Sequence, residues 1–373
     1  MSAERTGVRL TDEQRLSWLR LIRSENIGPV TFRELINHFG SAASALEAVP
    51  DLARRGGRTI RLASLADAER EWQAAARAGA RFVALGEPDY PAPLRHIDGA
   101  PPLLTVRGDA GALHRPTVSV VGARNASLAG RKFAMQVARG LGERGYVIAS
   151  GLARGIDASA HEAALDTGTV AVFAGGVDRV YPPENAELAE RIVERNGALI
   201  SEMPMAHEPR ARDFPRRNRI VAGLALGVVI VEAARQSGSL ITARLAAEQG
   251  RLVFAVPGSP LDPRAAGSNR LIRDGAHIVT DIDDIVAGLD PMLARKDWPA
   301  EIGEPAGDPG PADPAEGERE KIASALGPTP VTVDELVRFS GARPAVVHLV
   351  LLELDLAGRL ERHAGPRVSL IDP

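Results

Sequence analysis

The chain contains no cysteine. That excludes disulfides and thiolate metal sites, and no part of the fold depends on an oxidising compartment. Lysine is almost missing too: of 45 basic residues 42 are Arg and 3 are Lys, so a lone arginine carries little information and only a cluster does. Aromatic residues make up 4% of the chain, and no repeated platform for stacking successive bases is visible. The formal net charge is −3, so a polyanion has to be met by a local patch and not by the global field. The most apolar run, AGLALGVVIVEAA, is 13 residues long, short of the ~20 that a membrane-spanning helix needs. The opening MSAERTGVRLTDEQ lacks the apolar core of a signal peptide, and the expectation is a cytoplasmic protein with no membrane partner.

What remains is an ordinary globular composition of 45% apolar and 25% charged residues over 373 positions, which at roughly 100–200 residues per domain predicts two to three domains. Residues 10 to 78 read as helices with apolar positions three and four apart: LTDEQRLSWLRLIRSE, VTFRELINHFG, SAASALEAV and LADAEREWQAAARAG. Asn26-Ile27-Gly28-Pro29-Val30 makes a tight connection between the first two, in the manner of a helix-hairpin-helix unit. From about residue 80 strand and helix alternate. VSVVG (118–122), YVIAS (146–150), VAVFA (170–174), ALISE (198–202), VVIVE (228–232), LVFAV (252–256) and HIVT (277–280) are short, β-branched and apolar, as strands buried on both faces are. They predict a doubly wound parallel sheet. Residues 300–318 hold six acidic residues, four prolines and no basic residue, a linker composition. Beyond it EKIASALG, TVDELVRFSG and RPAVVHLVLLELDLAGR read as three helices, and RLERHAGPRVSLI as a hairpin, which together predict a winged helix. The boundaries are a helical domain at 1–79, a Rossmann-like domain at 80–290, a linker at 291–317 and a winged helix at 318–373.

In an open parallel sheet ligands collect at the carboxyl ends of the strands. Two loops there, Gly122-Ala123-Arg124-Asn125 and Gly151-Leu152-Ala153-Arg154-Gly155, run into helices, where free amides and the helix dipole favour an anion. Each adds one arginine. The bland alternative is that the glycines serve backbone geometry alone. Neither loop carries G-x-G-x-x-G or the G-x-x-x-x-G-K-[ST] phosphate loop, and no G-x-S-x-G elbow or H-E-x-x-H spacing occurs, so no cofactor and no metal are expected. Asp157 and His161 lie four apart on a helix and form either an acid/base couple or, more commonly, a structural pair. Glu232, at a strand end, is expected to hold loop amides.

The densest cationic cluster is RDFPRRNRIVAG at 212–223, with four arginines between Arg212 and Arg219. A helix beginning near Pro215 turns successive residues about 100° apart, so Arg216, Arg217 and Arg219 cannot all face one ligand. One or two are expected in the strand-end cleft beside Arg124 and Arg154, and another against a carboxylate such as Glu232. Because cations at a helix N-terminus oppose the dipole by about 0.3–1 kcal/mol each, a purely structural role is disfavoured. Phe214 supplies an aromatic plane or a buried anchor. Asn218 and the helix start Ser237-Gly238-Ser239, with Pro257-Gly258 and Gly267-Ser268-Asn269, complete a polar rim.

The order and spacing of SVVGAR, SGLARGIDASAHEAAL, VFAGGVDRVYPPEN, ISEMP, FPRRNRIVAGLA, VVIVEAARQSGSLITARLAAEQGR and VFAVPGS resemble the DNA-processing protein A (DprA/Smf) family. The resemblance covers nearly the whole chain. It implies an extended Rossmann-like domain that dimerises and carries the DNA pocket, between an N-terminal SAM/helix-hairpin-helix-like helical domain and a C-terminal winged helix. It also implies a non-enzymatic single-stranded DNA binder that loads the recombinase RecA onto incoming DNA in natural transformation, displacing or bypassing single-strand binding protein. The DNA-binding residues it implies are Gly122, Arg124, Gly151, Arg154, Gly155, Phe214, Arg216, Arg217 and Arg219, and the reading of the rim adds Asn218, Ser237, Gly238 and Ser239 as expected DNA contacts. The candidate recognition helix, Arg343 to Arg359, departs from what a duplex reader needs: it holds Glu353 and Asp355 and no Lys or Arg between its ends. Arg359, Arg362, His363 and Arg367 of the wing are left as possible DNA contacts. The competing reading is a nucleotide-processing enzyme of the phosphoribohydrolase type, whose P-G-G-x-G-T-x-x-E stretch has no match here; a winged-helix regulator would want a basic recognition helix.

Overall fold

The computed structural model describes residues 9–294, 314, 317–363 and 365–371. They belong to two compact units, one formed by residues 71–300 with the first nine, the other by residues 10–70 together with 301–373.

The first unit is built on nine strands: β1 Ala80–Ala84, β2 Leu103–Gly108, β3 Thr117–Gly122, β4 Val147–Ser150, β5 Thr169–Val172, β6 Ala198–Ser201, β7 Gly227–Val231, β8 Leu252–Ala255 and β9 His277–Ile278. Their order is β1-β2-β6-β5-β4-β3-β7-β8-β9. From β6 to β9 every pair is parallel. All seven expected strands are present, and β1 and β2 extend the sheet antiparallel from β6.

Side chains alternate between two cores. Val121, Ala149, Val172 and Ile230 face one side, under helices Asp213–Leu224 and Gly238–Glu248. Val120, Ile148 and Val229 face the other, under helices Leu128–Glu143 and Ile156–Ala163. At about 1.5–3 kcal/mol per fully buried aliphatic side chain, this two-sided burial is why the strands read as continuous apolar runs. Strand β9 departs from the expectation of two-sided burial: His277 and Ile278 are exposed at the sheet edge. The chain winds from β3 through β4 and β5 to β6, then returns across the sheet to β7, so the loops after β3 and β7 diverge at their carboxyl ends.

The second unit joins helices Asp12–Arg23, Pro29–Phe39 and Ala42–Arg55 to a winged helix made of helices Glu318–Ser324, Val333–Ser340 and Pro344–Leu356 and a small sheet. That sheet holds β10 Val331–Thr332, β11 Leu360–His363 and β12 Arg367–Leu370, in the order β10-β12-β11. Capping boxes start two of its helices, Thr11 with Gln14 and Thr332 with Glu335, each worth about 0.5–2 kcal/mol. The N-terminal helices and the winged helix, read from sequence as two domains, thus share one compact unit. Of the expected linker at 291–317, residues 291–294 finish helix Ile282–Ala294, and the rest apart from Pro314 and Gly317 lies outside the described residues.

Candidate nucleic-acid interface

At the carboxyl ends of β3, β4 and β5 lies a cleft of about 540 Å³, lined by Arg124, Asn125, Arg131, Gly151, Ala153, Arg154, Tyr181, Pro182, Phe214 and Arg217. Four of the ten lining residues are arginines and none is acidic. Three strand-end loops and the start of helix Asp213–Leu224 meet here. That helix begins two residues before Pro215, the expected start, and its first-turn acid, Asp213, accepts from the Arg210 amide at 2.8 Å and bonds His207 at 2.9 Å.

The cationic cluster divides as the 100° turn between neighbours requires. Arg217, 7% exposed, reaches inward and donates from Nη1 to the carbonyl oxygens of Gly151, at 2.6 Å, and Val172. Burial pulls its guanidinium down to about 10, against the favourable charge of Asp157 and with Arg124 adding to the fall, so it stays cationic at neutral pH. Arg216 and Arg219 turn the other way and share one carboxylate: Arg216 Nε donates to Glu202 Oε1 at 2.9 Å and Arg219 Nη2 donates to Glu202 Oε2. The expected partner, Glu232, is instead occupied by the amide of Ser127 at 2.9 Å and by its hydroxyl. Glu202 wins because it sits at the end of β6, directly beside the helix face that carries positions 216 and 219, and is 7% exposed with a charge that needs compensation.

Gly151 is required by Arg217: a Cβ there would lie within 2.6 Å of the guanidinium carbon. Gly122 and Gly155 are each required by backbone geometry. A Cβ at Gly122 would overlap the Val231 carbonyl, and Gly155 has φ 76°, with the Ala123 carbonyl where its Cβ would be. Leu152, between them in the loop after β4, holds φ 55°, a left-handed value costly for a residue with a Cβ. Its carbonyl accepts from Asn185 Nδ2 at 2.8 Å.

The aromatic side of the cleft is Phe214, half-buried, with its ring centroid 5.3 Å from Arg124 Cζ and 5.4 Å from the Tyr181 ring, edge to face. Phe214 is therefore neither a buried anchor nor a lone plane but one wall of an aromatic pair. Arg124, Asn125 and Arg131 are exposed around it. Arg154 lies 3.3 Å from Glu184.

The rim beyond is not part of the cleft lining. Ser237 caps its own helix, bonding Ser239 through both the hydroxyl, at 2.7 Å, and the amide, at 3.4 Å. Asn218 turns to the Gly238 carbonyl at 3.4 Å, and Gly258 and Asn269 bond each other. Asp157 and His161 do not pair. Asp157 accepts from the amides of Gly151 and Ala153 at 3.1 and 3.3 Å, tying the loop down. Burial raises its carboxyl, with Arg217 opposing. His161 is 0% exposed, bonds Thr169 Oγ1 at 2.7 Å, and is pushed by burial to about 3, a neutral imidazole inside the fold.

Sequence reading missed Arg131, Tyr181 and Pro182. Tyr181 and Pro182 stand in the RVYPPEN stretch after β5, a signal present but not used. Arg131 is one arginine among 42 and had none.

Comparison with known proteins agrees with this architecture. A family model described as DNA recombination-mediator protein A matches residues 81–290. A DprA-like N-terminal HHH domain matches 12–74 and a DprA winged helix domain 306–366. Protein Smf of Escherichia coli is 40% identical over 284 residues, 75% of each chain. DNA processing protein DprA of Streptococcus pneumoniae is 46% identical over 200 residues, 53% of this chain and 70% of that one. The X-ray structure of the Streptococcus pneumoniae protein superposes with a TM-score of 0.63 at 34% identity, over 75% of this chain and 98% of that one. A structure of DNA processing protein A from Helicobacter pylori, described for its single-stranded DNA binding mode, gives 0.52 at 29% identity over 57% and 97%. With that family model matching residues 81–290 and a relative 40% identical over 75% of each chain, the chain belongs to the DNA recombination-mediator protein A family.

Proposed function

We propose that the cleft binds the phosphate backbone of single-stranded DNA and that the protein, as a homodimer through the Rossmann-like unit, loads RecA onto that strand during natural transformation, past single-strand binding protein. The observation that carries the DNA reading is the lining itself: Arg124, Arg131, Arg154 and Arg217 converge with no acid among the lining residues, beside the Phe214–Tyr181 pair. A pocket with one aromatic pair and a cationic floor suits an unpaired base and its neighbouring phosphates. A binding role without turnover is supported by Asp157 and His161, the only acid/base candidates read from sequence, each of which is committed to a structural partner. The recombinase step rests on family membership.

The test is binding of the full chain to a fluorescent single-stranded oligonucleotide and its duplex across a salt series. Each single-strand phosphate neutralised contributes about −0.7 to the slope of log affinity against log salt, so four cleft arginines set a limit of about −2.8. Arg217 is already committed to two carbonyls and Arg154 lies beside Glu184, which places the expected slope between about −1.4 and −2.8. Arg124→Ala should make it shallower by about 0.7, and single strand should be preferred over duplex. Equal binding of both forms, with a slope that Arg124→Ala leaves unmoved, sinks the reading. Faster RecA assembly on oligonucleotide coated with single-strand binding protein tests the loading step.

A further inference from the structure

A winged helix reads DNA by laying one helix into a groove, and here that helix, Pro344–Leu356, is shielded on two sides. Leu349, Leu352 and Leu356, at 5%, 2% and 0% exposure, belong to one apolar core with Leu21 and Leu35 of the N-terminal helices. Val350 and Leu354 of the same helix fill the core of the winged helix itself. Its acids are engaged as well. Glu353, 2% exposed, accepts from Arg319 Nε at 3.0 Å. Asp355 accepts from Thr31 Oγ1 at 2.9 Å and from Arg362 at 3.1 Å.

The opposite side of these contacts is the hairpin at 26–29. Asn26, with φ 59°, donates from Nδ2 to the Leu356 carbonyl at 2.9 Å. Thr31, in the first turn of the next helix, is 4% exposed and holds the Asp355 carboxylate. Arg362 of the wing donates to Glu34 at 2.6 Å, and Arg359 to the Gly56 carbonyl at 3.1 Å. A Cβ at Gly56 would overlap the Glu353 carbonyl, so only glycine lets the two segments approach this closely. Of the wing residues left as possible DNA contacts by the sequence, Arg359 and Arg362 are therefore spent on protein.

We infer that the hairpin region and the C-terminal half of helix Pro344–Leu356 are each other's binding surface, so that the N-terminal helices and the winged helix form a closed module that withholds these two faces from DNA. The electrostatics agree. The charges at this seam are already paired with one another, Glu34 and Asp355 with Arg362 and Glu353 with Arg319, and the Asp355 carboxylate already takes the hydrogen bond that Thr31 could give an anion. Interlocked apolar side chains and buried charges hold the seam, and separating them exposes leucines and leaves carboxylates unpaired. Duplex DNA is thereby excluded from this seam by an internal protein contact. This inference stands apart from the cleft reading, because the two concern different units and different probes.

The test is amide hydrogen exchange on the full chain, alone and with saturating duplex oligonucleotide, for wild type and Gly56→Leu. In wild type, residues 32–36 and 349–356, whose amides are hydrogen-bonded within their helices, should exchange slowly, with rates that duplex leaves unchanged. In Gly56→Leu both segments should speed up together, at least about tenfold, while β3, β4 and β5 keep their protection. Duplex-induced slowing at either segment in wild type overturns the inference, and so does loss of protection at one segment of the variant without the other. If the variant also loses protection around Ile322 and Leu336, its winged-helix core has unfolded, and the wild-type duplex arm decides alone. Protection of the cleft loops by single-stranded oligonucleotide, read in the same experiment, reports on the cleft independently.

Discussion

Replacing Arg217 with methionine keeps most of the side-chain volume and removes a buried cation. Two carbonyls, Gly151 and Val172, lose their donor, and Asp157, 5% exposed, loses the nearest charge that opposes its burial. Removing one partner of a buried ionic pair costs about 3–5 kcal/mol. For a unit of this size about 1 kcal/mol moves the melting temperature by roughly 2–4 °C, so a fall of ~6–20 °C is expected. The pH dependence has a definite sign. In the variant, Asp157 keeps its burial without its counter-charge, and its folded pKa rises further above the unfolded value of about 3.9. A carboxyl that binds its proton more tightly when folded makes stability fall as pH rises from the unfolded pKa to the folded one. Measured against wild type at each pH, which cancels the fall that buried His161 imposes on both chains below about pH 6.5, the variant's deficit should be greatest near neutrality and smaller at about pH 5. Asp157→Asn in the same chain removes the charge yet keeps an oxygen for the amides of Gly151 and Ala153, and should recover a large part of the loss at neutral pH. Thermal unfolding of wild type, both single variants and the double variant at the two pH values closes the cycle. A melting temperature for Arg217→Met equal to wild type, or no recovery from Asp157→Asn, would refute the account of Arg217 as the counter-charge of a buried carboxylate.

Two further outcomes follow from the cleft. Phe214→Leu removes both the wall beside Tyr181 and the face under Arg124; at about 1–3 kcal/mol per stacked base, oligonucleotide affinity should fall roughly 5- to 150-fold while Phe214→Trp keeps most of it, measured by fluorescence anisotropy. Glu202→Gln leaves Arg216 and Arg219 with a neutral partner and should cost about 1–3 kcal/mol of stability in denaturant titration. The salt slope of binding should stay unchanged, because neither arginine lines the cleft.

The sequence by itself determined the fold class. Seven apolar, β-branched runs at strand length, separated by amphipathic stretches, admit little except a parallel sheet covered on both faces, since only there do consecutive strand residues all escape water. It also determined that the three arginines of one helix turn had to part company, because neighbours on a helix point about 100° apart. What it left undecided was where each went. Glu202 and Glu232 are both carboxylates at strand ends, and only the order β6-β5-β4-β3-β7, a set of long-range pairings, places Glu202 beside Arg216 and Arg219 and Glu232 beside Ser127. Tyr181 and Arg131, far apart in the chain, become cleft residues through the same convergence of strand-end loops. The winged helix shows the division most plainly: its acidic, leucine-rich third helix was legible as unfit for a phosphate-lined groove, but only the tertiary structure reveals its partner. Hydrophobic burial has no direction of its own, so a sequence shows that Leu349, Leu352 and Leu356 must be covered, and the packed chain decides that residues 10–70 cover them.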